Sequence, residues 1–97
     1  MLEKSIVTAI LRYLKTVPYC FCWKQHCSQY GTSGLPDIIC CLNGRFIAFE
    51  VKIPSGKLTK LQESTLQRIN AAKGEAYKVT SLQEVKEIIE SLNLDGG

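Results

Sequence analysis

Asn43-Gly44 lies between two β-rich runs, Asp37 to Leu42 and Arg45 to Lys52, and constrains the fold of this chain more than any other pair of residues in it. Asparagine and glycine tolerate the positive backbone angles that a tight hairpin turn requires. The two runs are therefore predicted to pair as antiparallel strands. With a two-residue loop Leu42 faces Arg45, and counting back pair by pair sets Asp37 directly opposite Glu50. A four-residue loop from Leu42 to Arg45 keeps that pairing, whereas a three-residue loop shifts it by one and turns Glu50 to the other face.

Around the hairpin the apolar residues set the remaining elements. Ile6, Val7, Ile10, Tyr13, Leu14 and Val17 recur at three and four, which predicts a helix over Leu2 to Val17 closed by Pro18. Aromatics at Tyr19, Phe21 and Trp23 alternate with cysteines and predict a short strand from Tyr19 to Gln25. A turn-rich stretch follows, from Gln29 to Gly34. After Pro54, Ser55 and Gly56, the residues Leu58, Leu61, Thr65, Leu66, Ile69 and Ala72 mark a second helix ending near Gly74. Glu75 to Thr80 reads as a strand. Ser81 with Glu84 three residues later resembles a capping box that opens a last helix through Val85, Ile88, Ile89 and Leu92. Residues 94–97 are expected to fray. The order is helix, three strands, helix, strand, helix: an α/β domain with a small mixed sheet, residues 1–97 forming one unit without repeats or linkers.

Charge excludes little. A net charge of +3 is mildly basic, which permits an anionic partner without requiring one. The chain has 97 residues, so its core is small and self-association is a natural way to bury more surface. No run near 18 apolar residues suggests a membrane span, and the N-terminal residues lead into an amphipathic pattern rather than a signal peptide. Five cysteines, an odd set, then read as free thiols in a reducing cytoplasm and as small core residues.

Two carboxylates facing each other on a sheet repel, and burial makes the conflict worse unless something positive lies beside them. Lys52, two residues past Glu50, shares its strand face and supplies one charge. A divalent cation would supply the rest. Carboxylate oxygens with a nearby backbone carbonyl suit the hard ions Mg²⁺ or Mn²⁺, which make a bound water acidic and stabilise charge on a phosphoryl group. The competing reading makes Asp37 a turn residue after Gly34-Leu35-Pro36, with Glu50 and Lys52 as ordinary outward positions. It leaves unexplained why three charges gather on a face otherwise formed by Ile39, Cys41, Phe46 and Ala48.

Pro36-Asp37, a gap of twelve residues and then Glu50-Val51-Lys52 resembles the PD-(D/E)XK nuclease signature. The helical Glu3, Gly34-Leu35-Pro36-Asp37, the hairpin, Phe49-Glu50-Val51-Lys52, the run Gly56-Lys57-Leu58-Thr59 and Gln62 resemble the VRR-NUC branch of that superfamily, over roughly residues 1 to 80. The resemblance implies a compact αβββαβα, restriction-endonuclease-like core. It implies a DNA phosphodiesterase with Asp37, Glu50 and the Val51 carbonyl as ligands of Mg²⁺ or Mn²⁺, and Lys52 as the catalytic lysine. It also implies 5′-phosphate and 3′-hydroxyl ends, and a homodimer that cuts four-way (Holliday) junctions. A flap or nonspecific nuclease, and a silent DNA-binding or assembly module of the same fold, are the competing readings. The resemblance, taken with the stand-alone size, implies a viral or phage-like source.

Glu3 stands in the stripe of Ile6, Val7, Ile10 and Leu14, where an apolar residue is expected. It either complements the helix dipole or joins the site, and the resemblance favours the site, as a carboxylate behind the metal ligands. Gln62 follows Thr59 by three, which reads as a capping box, while the resemblance equally implies a group orienting water or phosphate. Lys57 and Lys60 flank the start of the second helix, where phosphate is favoured. Gln29, Tyr30, Thr32 and Ser33 form a polar loop ahead of the site that suits DNA contact or plain solvation. Cys20, Cys22, His26 and Cys27 assemble into a zinc site only on paper, because all four fall within eight residues rather than in two separated pairs.

Overall fold

The computed structural model describes residues 2–26 and 33–96, with side chains through Asn93. The elements follow the predicted order: α1 (Glu3–Leu14), β1 (Cys20–Lys24), β2 (Ile38–Leu42), β3 (Arg45–Val51), α2 (Lys60–Ala71), β4 (Glu75–Val79) and α3 (Leu82–Gly96). The four strands form one mixed sheet in the order β1-β2-β3-β4, antiparallel except for the parallel pair β3 and β4. A parallel pair needs a crossover, and α2 is that crossover.

Alternation along the strands sorts side chains onto two faces. Cys22, Cys40, Ile47, Phe49, Val51 and Val79 point to the side covered by Ile6, Ile10 and Leu14 of α1 and by Val85, Ile89 and Leu92 of α3. Ile39, Ala48 and Ala76 point the other way and meet Leu66 of α2, with Leu58 and Ile69 packed alongside. The main core therefore lies under α1 and α3, and α2 covers only part of the opposite face. No helix among the described residues is long and apolar enough to cross a membrane.

Asn43 and Gly44 have φ of 51° and 84°, the turn expected of this pair, and Leu42 faces Arg45. Some boundaries move from those read in the sequence. Tyr19 lies outside β1 because it takes a left-handed φ of 58°, and its carbonyl accepts the Asn43 N–H. Ser81 Oγ does accept the Glu84 N–H, but the Glu84 carboxylate turns back to Thr80, to both its N–H and its hydroxyl, so the reciprocal half of the expected box is displaced by one residue. α3 runs through Gly96. Cys22 and Cys40 are buried as expected of core thiols, but Cys41 is exposed, and Cys27 lies outside the described residues.

The end of α2 carries a strain that the sequence hides. Lys73, not Gly74, occupies the left-handed position after the helix, with φ of 74°. A lysine there bears a cost that glycine does not. Lys73→Gly is expected to raise stability by about 0.5–1 kcal/mol, read as a higher urea midpoint at unchanged slope.

Candidate functional site

The ladder sets the site. Ile38 pairs with Phe49, so the next step outward puts Asp37 opposite Glu50, as the hairpin register predicts. Asp37 is fixed from both sides: its backbone carbonyl accepts the Gln25 N–H at 2.8 Å, and its Oδ2 accepts the Val51 N–H at 2.8 Å. The second bond replaces a ladder bond with a side-chain bond, and pairing alone gives no hint of it.

Glu50 is only 2% exposed and is the one buried charged residue among those described. Its Oε2 accepts from Gln62 Nε2 at 3.3 Å, while its Oε1 is buried with no hydrogen-bond partner among the described residues. Burial pushes its carboxyl up to about 8, and the adjoining Asp37 carboxylate adds to the rise. Lys52 acts in the opposite direction and Glu3 adds a small further push upward. Glu3 is thus near enough for its charge to reach Glu50, though it is exposed at the first turn of α1 and joined to the site by no described hydrogen bond.

Gln62 closes the capping box that the sequence offers and also touches the buried carboxylate. Its Oε1 accepts the Thr59 N–H at 2.9 Å, closing the capping box with the Thr59 hydroxyl on the Gln62 N–H, and its Nε2 remains free to reach Glu50. The two ends of one amide tie the start of α2 to the buried carboxylate.

Gly34 fixes how closely the loop before Asp37 approaches that helix. It takes a φ of 78°, and a Cβ built on it would come within 2.6 Å of Leu61 Cγ. Leu61, which the sequence assigns to the buried face of α2, is half exposed and lies over this loop instead. Gly34→Ala adds both a backbone strain and a clash and is expected to lower stability by about 2–3 kcal/mol in chemical denaturation.

Other residues named from the sequence are spread around this centre. Lys52 is half-buried beside it, whereas Lys57, Lys60, Ser33 and His26 are exposed. Thr32, Gln29 and Tyr30 lie outside the described residues. One residue not singled out earlier is Lys78, which pairs with Glu50 in the parallel register of β4, although its charge acts on Glu84 rather than on Glu50. Only the parallel pairing of β3 with β4 brings it there, and local sequence carries no signal of that register.

Two carboxylates, one with an orphaned buried oxygen, form a donor set that a hard divalent cation fits. Among the described residues no three His, Cys, Asp or Glu side chains gather, so such a cation would rest on Asp37, Glu50, a backbone carbonyl and water. Cys27 of the Cys20, Cys22, His26 and Cys27 arrangement lies outside the described residues.

The fold has known counterparts. A solved structure titled "VRR_NUC domain" superposes with a TM-score of 0.77 at 23% sequence identity, covering 91% of this chain and 94% of the other. A second, titled "VRR_NUC domain protein", gives a TM-score of 0.75 at 15% identity, covering 94% of this chain and 87% of the other. No protein-family model and no curated protein matches the sequence. At these identities the likeness is one of fold, and the chain has the VRR_NUC fold that its motifs resemble.

Proposed function

We propose that this chain is a DNA endonuclease dependent on Mg²⁺ or Mn²⁺, with Asp37, Glu50 and the Val51 carbonyl holding the ion. The observation that carries the reading is the buried, unpartnered Oε1 of Glu50 beside the Asp37 carboxylate. Burying such a group costs free energy unless a proton or a cation compensates it. When bound, the ion supplies Lewis-acid polarisation of the phosphodiester and acidifies an attacking water.

The chain's own residues do the rest. Lys52, on the Glu50 face of β3, neutralises phosphoryl oxygens or orients the nucleophile. Gln62 holds Glu50 in place through Nε2 and keeps the start of α2 against the site. Lys57 and Lys60, exposed at that helix start, meet the DNA backbone. Ser33, exposed ahead of the site, is a further contact to the DNA backbone, and Thr32, outside the described residues, is proposed with it. Glu3 tunes the charge at Glu50 rather than binding the ion directly.

The substrate we propose is branched DNA, a four-way junction cut by a homodimer. A bare apolar patch on the α2 side of the sheet supports the dimer: Phe21, Trp23 and Phe46 are 71%, 43% and 47% exposed, and the Phe21 and Trp23 rings lie 5.9 Å apart. Patches of this kind mark interaction surfaces. We infer a reducing cytoplasmic setting, in keeping with the free thiols of Cys20, Cys22, Cys40 and Cys41.

Labelled four-way junction, flap, splayed arm and linear duplex, each with and without Mg²⁺ or Mn²⁺, test the reading. Ion-dependent cutting with preference for the junction is the expected result. Preference for the flap replaces only the substrate, and binding without cutting in either ion refutes the enzyme. Trp23 is the sole tryptophan, so its emission should shift to the blue as protein concentration brings two copies together. A monomer at micromolar concentration, with unshifted emission, removes the dimer.

A further inference from the structure

In extended backbone the N–H and C=O of one residue point to the same side of the strand. The Val51 N–H points toward β2, because it donates to Asp37 Oδ2, whereas the Lys52 N–H points the other way and donates to the Val79 carbonyl of β4. The Val51 carbonyl therefore faces β2, on the side of Asp37. Along this ladder the pairs that exchange both bonds are Leu42 with Arg45, Cys40 with Ile47 and Ile38 with Phe49, where the ladder ends; carried one step further, past the bend at Asp37, the same alternation would turn Pro36 toward Val51. Proline has no N–H. At that position the Asp37 side chain takes the Val51 N–H, and no ladder donor exists for the Val51 carbonyl.

Pro36 is fully buried, and its ring carbon stands where the missing hydrogen would point. We infer that Pro36 is a positioning residue: by withholding a ladder N–H it keeps the Val51 carbonyl open beside the Asp37 and Glu50 carboxylates, reserving that oxygen for the cation. The inference rests on the metal reading given above. A residue with an N–H here would pair with the carbonyl, complete the ladder and remove one of the few oxygen donors of a site that has only two carboxylates. Pro36 thus works through its main-chain nitrogen, not through its side-chain chemistry.

Pro36→Ala restores the donor. Its new amide proton at position 36 should be protected from hydrogen exchange in the ion-free protein and lose that protection when Mg²⁺ is added. Calorimetry with Mn²⁺ alone should show binding about tenfold weaker than in the parent chain. Pro36→N-methylalanine, introduced by chemical synthesis, removes the ring but still lacks the N–H, and should bind Mn²⁺ as the parent does. Unprotected exchange at position 36 with parent-like Mn²⁺ affinity in Pro36→Ala overturns the inference. So does an equal loss of affinity in both variants, which would assign the effect to ring packing. A parent chain that binds neither ion overturns the metal reading itself, an outcome separate from the failure of Pro36→Ala alone to differ.

Discussion

Asp37→Asn is expected to leave the protein folded and to lower ion-dependent DNA cleavage by about a thousandfold or more, because it removes one of two anionic ligands while keeping the shape of the site. Asp37→Ala should lose cleavage equally and also lose about 1–3 kcal/mol of stability. The difference comes from the Val51 N–H, which donates to Asp37 Oδ2 at 2.8 Å. An asparagine oxygen still accepts that bond, whereas alanine leaves the N–H of the buried Val51 without that partner. Asparagine also relieves Glu50, since the Asp37 carboxylate contributes to the upward push on it. The neutral variant should therefore stay near the parent's stability at neutral pH, where Glu50 still holds its proton, and exceed it in urea denaturation only as pH climbs past about 8. Gel assays on the junction and denaturation curves together check the pair. Cleavage that survives Asp37→Ala sinks the site assignment, and equal stability of the two variants sinks the structural role of the carboxylate.

Why so much of this centre could be read in the sequence follows from the hairpin. Asn43 and Gly44 require one turn geometry, the turn fixes the register, and the register alone sets Asp37 across from Glu50. Period-two alternation then puts Lys52 on the same face. The element order is legible for a similar reason, since Ile6, Val7, Ile10 and Leu14 have no pattern but a helical one. What stays hidden depends on three-dimensional closure. The dual bonding of Gln62 needs α2 laid across the end of β3, which no local spacing encodes. Leu61 fits a helical stripe equally well whether it enters the core or lies over Gly34. Phe21 and Trp23 alternate as any strand residues do, and their exposure is decided by how little of that face α2 covers. Lys73 at a positive φ is invisible because Gly74 beside it is the residue that pattern reasoning expects there.

The ion-free protein should lose stability as pH rises from about 5 to about 8, at a slope of up to about 1.4 kcal/mol per pH unit from Glu50 alone. The folded protein holds this carboxyl at about 8, against 4.5 for an unperturbed glutamate. Between those values the native state binds a proton that the unfolded state has already released. Stability from this group is therefore fully present below the unfolded value and is lost as pH climbs through the folded one. Glu84 has the opposite sign, held below the usual glutamate range by bonds from Thr80, so its contribution disappears only in acid, below this window. Glu50→Gln removes the proton exchange and should flatten the profile, making the variant more stable than the parent at pH 8 and abolishing cleavage. Mn²⁺ reverses the parent's trend: it competes with the Glu50 proton, so the rise in melting temperature it produces should grow with pH across the same interval. Melting curves at half-unit pH steps, with and without Mn²⁺, give both results. A parent profile as flat as that of Glu50→Gln would mean that this carboxyl is already ionised in the ion-free fold, with a compensating charge other than a proton or a metal.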